Sequence, residues 1–349
     1  VIAPAVGRTL TAGPLERVRR RRTRRSRVVV GALVLVTLAL VVIALSTGDY
    51  PLSLAQLWRT VWGGGERVEE YVLFQVRAPR VAMAVAVGAC LGVAGALLQA
   101  LLRNPLASPD LLGVSGGSSV AAVFVLLVLG ITGPVLAVAA FAGGLAVAIL
   151  LLWAARRSGE GGFRLILAGI GISFLTVSIT GYLMVRAQVE LAASALVWMT
   201  GSLSATAWWH VAVIVLVGVL TLPAVLAAAR WLPITQLGAS AASGLGVRPE
   251  TARLVTVVAA VLLTAVTCAF AGPISFIALC APAIARPLHG HGAIAIGSSA
   301  LVGATLLTAA DLVAQFALPG YSLPVGVVTG ALGAVFLLWI LATSKGRQL

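Results

Sequence analysis

Residues Arg77 to Gly117 read RAPRVAMAVAVGACLGVAGALLQALLRNPLASPDLLGVSGG, and this stretch decides how the rest of the chain is read. From Val81 to Leu102 it carries no charge. That run of about 22 residues meets the ~20 that a helix needs to cross ~30 Å of hydrocarbon. Inside it Gly88, Gly92 and Gly95 set small residues on neighbouring turns, the pattern that lets a second helix backbone approach closely. Arg77 and Arg80 mark one end. At the other, Asn104-Pro105-Leu106-Ala107-Ser108-Pro109 cannot continue the helix, because its prolines lack the amide and crowd the preceding turn.

The whole chain has the same character. Of its 349 residues 60% are hydrophobic and 10% charged, with a mean hydropathy of +1.08, which makes it an all-α polytopic membrane protein. The formal charge of +14 does not point to nucleic acid. Many of its arginines crowd between Arg17 and Arg27, just before the first apolar run, where the positive-inside rule and anionic lipid headgroups account for them. Cys90, Cys268 and Cys280 stand in apolar stretches without paired spacing. They read as small core residues, neither disulfide nor metal site.

Hydropathy predicts about ten spans. Residues 1–27 form a basic, disordered cytoplasmic arm with no apolar pattern. A single transmembrane domain runs over 28–345, with spans at 28–45, 81–102, 114–129, 135–155, 165–185, 207–229, 254–271, 274–284, 293–318 and 324–341. Between the first two, Ser53 to Trp62 has Leu54, Leu57, Trp58 and Val61 at helical spacing, and Trp58 and Trp62 suit a membrane interface. Basic residues concentrate at the ends that the tail shares, so both termini are expected in the cytoplasm. Arg77 and Arg80 are exceptions on the outer side. Within span five Ser173, Thr176 and Thr180 share one helix face; they line a water path or bond back to their own helix carbonyls.

The sequence then becomes recognisable. Arg-Ala-Pro-Arg, the apolar run ending at Gln99, and Arg103-Asn-Pro-Leu-Ala-Ser-Pro-Asp-Leu-Leu-Gly-Val-Ser-Gly-Gly117 resemble the FecCD-type permease subunits of ABC importers for iron siderophores, haem and vitamin B12. The resemblance continues through Leu237 to Val247, Gly272-Pro-Ile-Ser-Phe-Ile-Ala-Leu279, Ala281-Pro282, Asp311-Leu-Val-Ala314 and Leu323-Pro-Val-Gly-Val-Val-Thr-Gly330, covering about residues 30 to 345. It implies the type II importer fold and a set of roles. Arg77 and Arg80 would receive acidic residues of a substrate-binding protein; Asn104 and Leu106, with Gly162 and Phe163, would form the cytoplasmic gate. Ser173, Thr176 and Thr180 would line the path. Leu237, Gly238, Ala239, Ser240, Ser243, Gly244, Leu245 and Gly246, inside a cytoplasmic segment at 230–253, would couple to the ATPase. Ala239 stands where the family commonly has an acid. Gly88, Gly92, Gly95, Gly326 and Gly330 would serve helix packing.

No Gly-x-x-x-x-Gly-Lys-Ser/Thr occurs, so the chain is expected to be no enzyme, with ATP and Mg held by a separate ATPase and no cofactor or metal of its own. His289 and His291 are too few for a metal site and read as core or surface residues. Asp311, an acid in an apolar stretch, invites a functional reading, and a structural hydrogen-bond or capping role is favoured over proton coupling. Motif detail is closer to the ferric-enterobactin branch, which implies a non-identical second permease and a bacterial cytoplasmic membrane location. Gln315 stands where the vitamin B12 permease has a further docking arginine. A haem or vitamin B12 permease is the alternative. An ion-coupled secondary transporter would need more intramembrane ionisable residues and broken inverted repeats.

Overall fold

The computed structural model describes residues 13–156, 161–290, 294–318 and 320–343, with the side chains of 13–19, 154–156, 161–166 and 341 outside the description. Fourteen α-helices follow in chain order among these residues: α1 Gly13–Ser46, α2 Leu54–Val61, α3 Arg67–Tyr71, α4 Ala78–Leu102, α5 Val114–Val128, α6 Pro134–Arg156, α7 Gly161–Arg186, α8 Val189–Thr200, α9 Trp208–Thr235, α10 Ala239–Gly244, α11 Pro249–Ala271, α12 Ile277–His289, α13 Ile296–Phe316 and α14 Val325–Thr343. The one extended pairing among them is an isolated bridge between Leu318 and Tyr321. The chain is an integral membrane protein. Seven helices are long and apolar enough to cross a bilayer, and α5, α8 and α14 are shorter apolar helices.

Burial explains the arrangement. Helix α4 is apolar all round, and such a helix belongs inside a bundle. It packs against α13, α12, α11 and α9, and Met83, Val87, Leu97 and Leu98 are buried there. The glycine spacing acts as expected at three positions. A Cβ on Gly88 would strike the backbone of Gly303, one on Gly92 that of Ser299, and one on Gly95 that of Ala278. Gly326 likewise lies against the Thr200 carbonyl. At Gly330, by contrast, nothing among the described residues stands within 4 Å of its would-be Cβ.

Several boundaries also need correction. The basic arm is helical from Gly13, continuous with the first span as α1; arginine is a good helix former, and an existing helix extends one residue at a time without a new nucleation cost. Residues 1–12 of the predicted arm lie outside the described residues. Helix extends from Arg67 to Leu102 through a π turn at Val72–Arg77, so Arg77 and Arg80 stand within a helix and do not bound one. Gly162 and Phe163 belong to the first turn of α7 and not to a loop. The connection between the spans expected at 165–185 and 207–229 contains the apolar helix α8. The helix expected at 274–284 begins three residues late, at Ile277, after a bend in which Phe276 takes φ +68°. That left-handed conformation is unusual for a bulky side chain. Gly333 of α14 leaves the space its ring occupies.

Candidate functional site

Four features of the sequence reading now have positions. The first is the rim where α4 meets α13. Arg80 Nη2 donates to Asp311 Oδ1 at 2.8 Å, and its Nε donates to Oδ2 at 3.0 Å. Gln315 Nε2, one turn further along α13, donates to Oδ2 at 2.8 Å. The pair is largely out of solvent, with side-chain exposures of 18% and 4%. Arg77 turns to the opposite neighbour. Its Nη1 donates to the Leu45 carbonyl at 2.8 Å and its Nη2 to the Tyr50 carbonyl at 2.6 Å. The favoured structural role of Asp311 thus takes the form of an ion pair, and the partner is 231 residues away in sequence.

Beside this rim stands α2. Ser53 opens it with a capping box: its hydroxyl accepts from Gln56 N, and Gln56 Oε1 accepts from Ser53 N at 2.9 Å. One face carries exposed Leu54, Trp58, Val61 and Trp62, with the two indoles 5.7 Å apart. The other face meets Glu69, which accepts from Gln56 Nε2, Arg59 Nη2, the Thr60 hydroxyl and Glu66 N.

The connection from α4 to α5 is the second feature. Arg103 ends α4 with φ +51° and donates to the Thr235 carbonyl at 2.8 Å. Asn104 Oδ1 accepts from Leu106 N at 2.9 Å, the Asx turn that asparagine favours; Leu106 is left 43% exposed. The segment then folds back among the helices. A Cβ on Gly113 would meet Ile172 and Ser173, which lie about 17 Å along α7 from its start. Here the sequence reading missed a residue. Asp110, at the turn before α5, accepts a short hydrogen bond from the Ser115 hydroxyl, and Cys268 Sγ of α11 donates to the same hydroxyl at 3.7 Å. The local signal was an acid five residues before a serine at a helix start.

The polar stripe of α7 is the third feature, and Thr176 borders a cavity of about 750 Å³ between α5, α6 and α7. Thr176 and Thr180 are buried, and Gly116 of α5 lies against the Thr176 hydroxyl. The alternative of back-bonding holds for two members: the Ser173 hydroxyl donates to the Gly169 carbonyl and that of Thr176 to the Ser173 carbonyl. Periodicity puts the three on one face but does not say which neighbour covers it. The open face of α7 carries Gly171, Phe174, Ser178 and Tyr182.

The fourth is α10. Gly238, with φ +109°, turns the chain into it. Ala242 is buried against Trp231, Ile234, Val247 and Ala252, while Leu237 and Leu245 on either side are 68% and 63% exposed; Ala239, Ser240, Ser243, Gly244 and Gly246 are also exposed. A groove of about 350 Å³ beside it is lined by Arg103, Gln236, Ala239 and Arg253.

The remaining candidates are core residues. All three cysteines are free and buried. His289 is buried with its Nε2 2.6 Å from the Ser298 hydroxyl, and His291 lies outside the described residues. No group of three metal-ligating side chains occurs among the described residues.

Comparison with known proteins gives one consistent picture. The family model described as the FecCD transport family matches residues 35–343. The chain is 38% identical over 324 residues to the ferric enterobactin transport system permease protein FepG of Escherichia coli (strain K12), covering 92% of this chain and 98% of that protein. It is 39% identical to the Fe(3+) dicitrate transport system permease protein FecD of the same organism, covering 90% of this chain and 99% of the relative. A solved structure described as a metal-chelate type ABC transporter in an inward-facing conformation superposes with a TM-score of 0.80 at 27% identity, covering 92% of this chain and 99% of that one.

Proposed function

The chain belongs to the FecCD transport family, and from that premise we propose that it is the permease subunit of an ATP-driven importer for an iron–siderophore complex of the ferric catecholate class. The observation that carries the reading is the end-to-end likeness to a ferric enterobactin permease, 92% of one chain on 98% of the other. The transporter sits in a bacterial cytoplasmic membrane with both termini inside and about ten spans, the short helices α5, α12 and α14 completing the seven long ones. A second, non-identical permease pairs with it, two ATP-binding subunits attach below, and a binding protein delivers substrate from outside.

In this reading each local feature has a task. The rim bearing Arg77 and Arg80 faces outward and meets the binding protein. The loop with Asn104 and Leu106, together with the start of α7 at Gly162 and Phe163, closes the inner end of a path that runs along the open face of α7. Helix α10, with Leu237 and Leu245 presented on either side, inserts into the ATPase. The ATPase supplies the energy, and this chain converts nucleotide-driven movement at α10 into closure or opening at the loop.

The test is uptake of a radiolabelled ferric catecholate into proteoliposomes holding the co-purified complex. Uptake that requires ATP, the second permease and the binding protein supports the proposal. Uptake by this chain alone under an ion gradient overturns it.

A further inference from the structure

The rim pairs two arginines with opposite neighbours, and their charges have different fates. Asp311 is 3% exposed and takes donors on both oxygens: Arg80 Nε and Nη2 at 2.8 to 3.2 Å, and Gln315 Nε2 at 2.8 Å. The Arg80 charge is therefore neutralised where it stands. Removing Arg80 to any other acid would strand a buried carboxylate, which is the costly way to break such a pair. Arg77 donates to two carbonyls, which carry no formal charge. Asp49 lies on the neighbouring loop, and no ion pair joins it to Arg77 among the described residues.

The seam beneath Arg80 adds an independent reason for a tie. Helices α4 and α13 meet at Gly88, Gly92 and Gly303, backbone against backbone. Such a contact brings the two backbones close together beneath the pair. A two-pronged arginine–carboxylate pair fixes direction as well as distance.

We propose that Arg80 and Asp311 form a fixed tie that holds the register of α4 on α13, and that Arg77 alone of the two arginines offers its charge to an acidic docking partner. Arg80 is thus a positioning residue: it holds the helix turn from which Arg77 projects. The second half of this inference rests on the binding-protein reading given above; the tie itself does not.

Four variants of the full chain, in its complex with the ATPase, separate the roles: Arg77→Gln, Arg80→Gln, Asp311→Asn and the neutral pair Arg80→Gln with Asp311→Asn. The readouts are the thermal midpoint of the purified complex and the binding-protein concentration giving half-maximal ATPase stimulation, taken at low and high salt. Arg77→Gln is expected to raise that concentration about tenfold at low salt and less at high salt. Either single change at the tie lowers the midpoint, and the neutral pair recovers part of the loss and keeps the half-maximal concentration within about twofold of wild type. The inference is overturned if the neutral pair weakens docking as Arg77→Gln does, or if both single changes leave the midpoint where it was. If no binding protein stimulates the unaltered complex, the functional reading fails, and the midpoints alone still decide the tie.

Discussion

Gly88 of α4 and Gly303 of α13 stand backbone to backbone, each occupying the place where the other's Cβ would be. Main chain, unlike a flexible side chain, cannot swing aside, so an added methyl must move a whole helix. Gly88→Ala and Gly303→Ala should each cost about 1 to 3 kcal/mol, the usual range for forced overpacking. Gly330→Ala is the control. With nothing within 4 Å, it should be neutral or raise stability by up to about 1 kcal/mol through helix propensity. Thermal midpoints of the three variants in one detergent check the ranking.

The re-entrant connection offers a second test. Asp110 accepts from the Ser115 hydroxyl, and Ser115→Ala removes that donor while leaving the carboxyl behind. An acceptor left without its donor costs about 1 to 3 kcal/mol. Asp110→Asn retains a carbonyl acceptor and should cost less. If Ser115→Ala leaves the unfolding midpoint unchanged, the bond does not anchor the segment.

What the sequence discloses here is uneven, for physical reasons. A span is a local property, because hydrocarbon thickness demands an apolar run of set length. Helices α1, α4, α6, α7, α9, α11 and α13 were therefore all legible. Boundaries were not. Arginines such as Arg77 and Arg80 look like loop residues on a charge count, yet their side chains reach carbonyls and a carboxylate without leaving the helix. Partners distant in sequence are hidden for a different reason. Nothing near Arg80 announces Asp311, and nothing near Thr176 announces Gly116 of α5. Gly326 and Gly330 sit in the same motif, and only the fold shows that one touches a carbonyl while the other's would-be Cβ meets nothing within 4 Å among the described residues.

Helix α2 makes a prediction about depth. Its exposed Leu54, Trp58 and Trp62 form one apolar face, and indole rings favour the headgroup layer, where one edge is apolar and the other wet. Nitroxides at Trp58→Cys and Trp62→Cys should be reached both by oxygen and by a polar relaxation agent, as interfacial sites are. The buried Cys90, Cys268 and Cys280 should label slowly enough in native protein to leave the background low. Access by the polar agent alone would place α2 in water.

At the opposite end, the exposed leucines flanking α10 separate folding from coupling. Leu237 and Leu245 are 68% and 63% exposed, so neither supports this chain's own core, whereas Ala242 between them is fully buried under Trp231 and Ile234. Two exposed leucines on either side of one short helix offer an apolar surface that a partner chain can cover. Leu237→Ser and Leu245→Ser should therefore leave the stability of the isolated chain within about 0.5 kcal/mol and weaken recovery of the ATPase in co-purification. Ala242→Leu should do the reverse at first instance, destabilising the chain by overpacking its only buried position on that helix. If both leucine changes retain the ATPase at wild-type stoichiometry and its hydrolysis still responds to the binding protein, α10 is not where the two chains couple, and the contact has to be sought along the groove lined by Arg103 and Arg253.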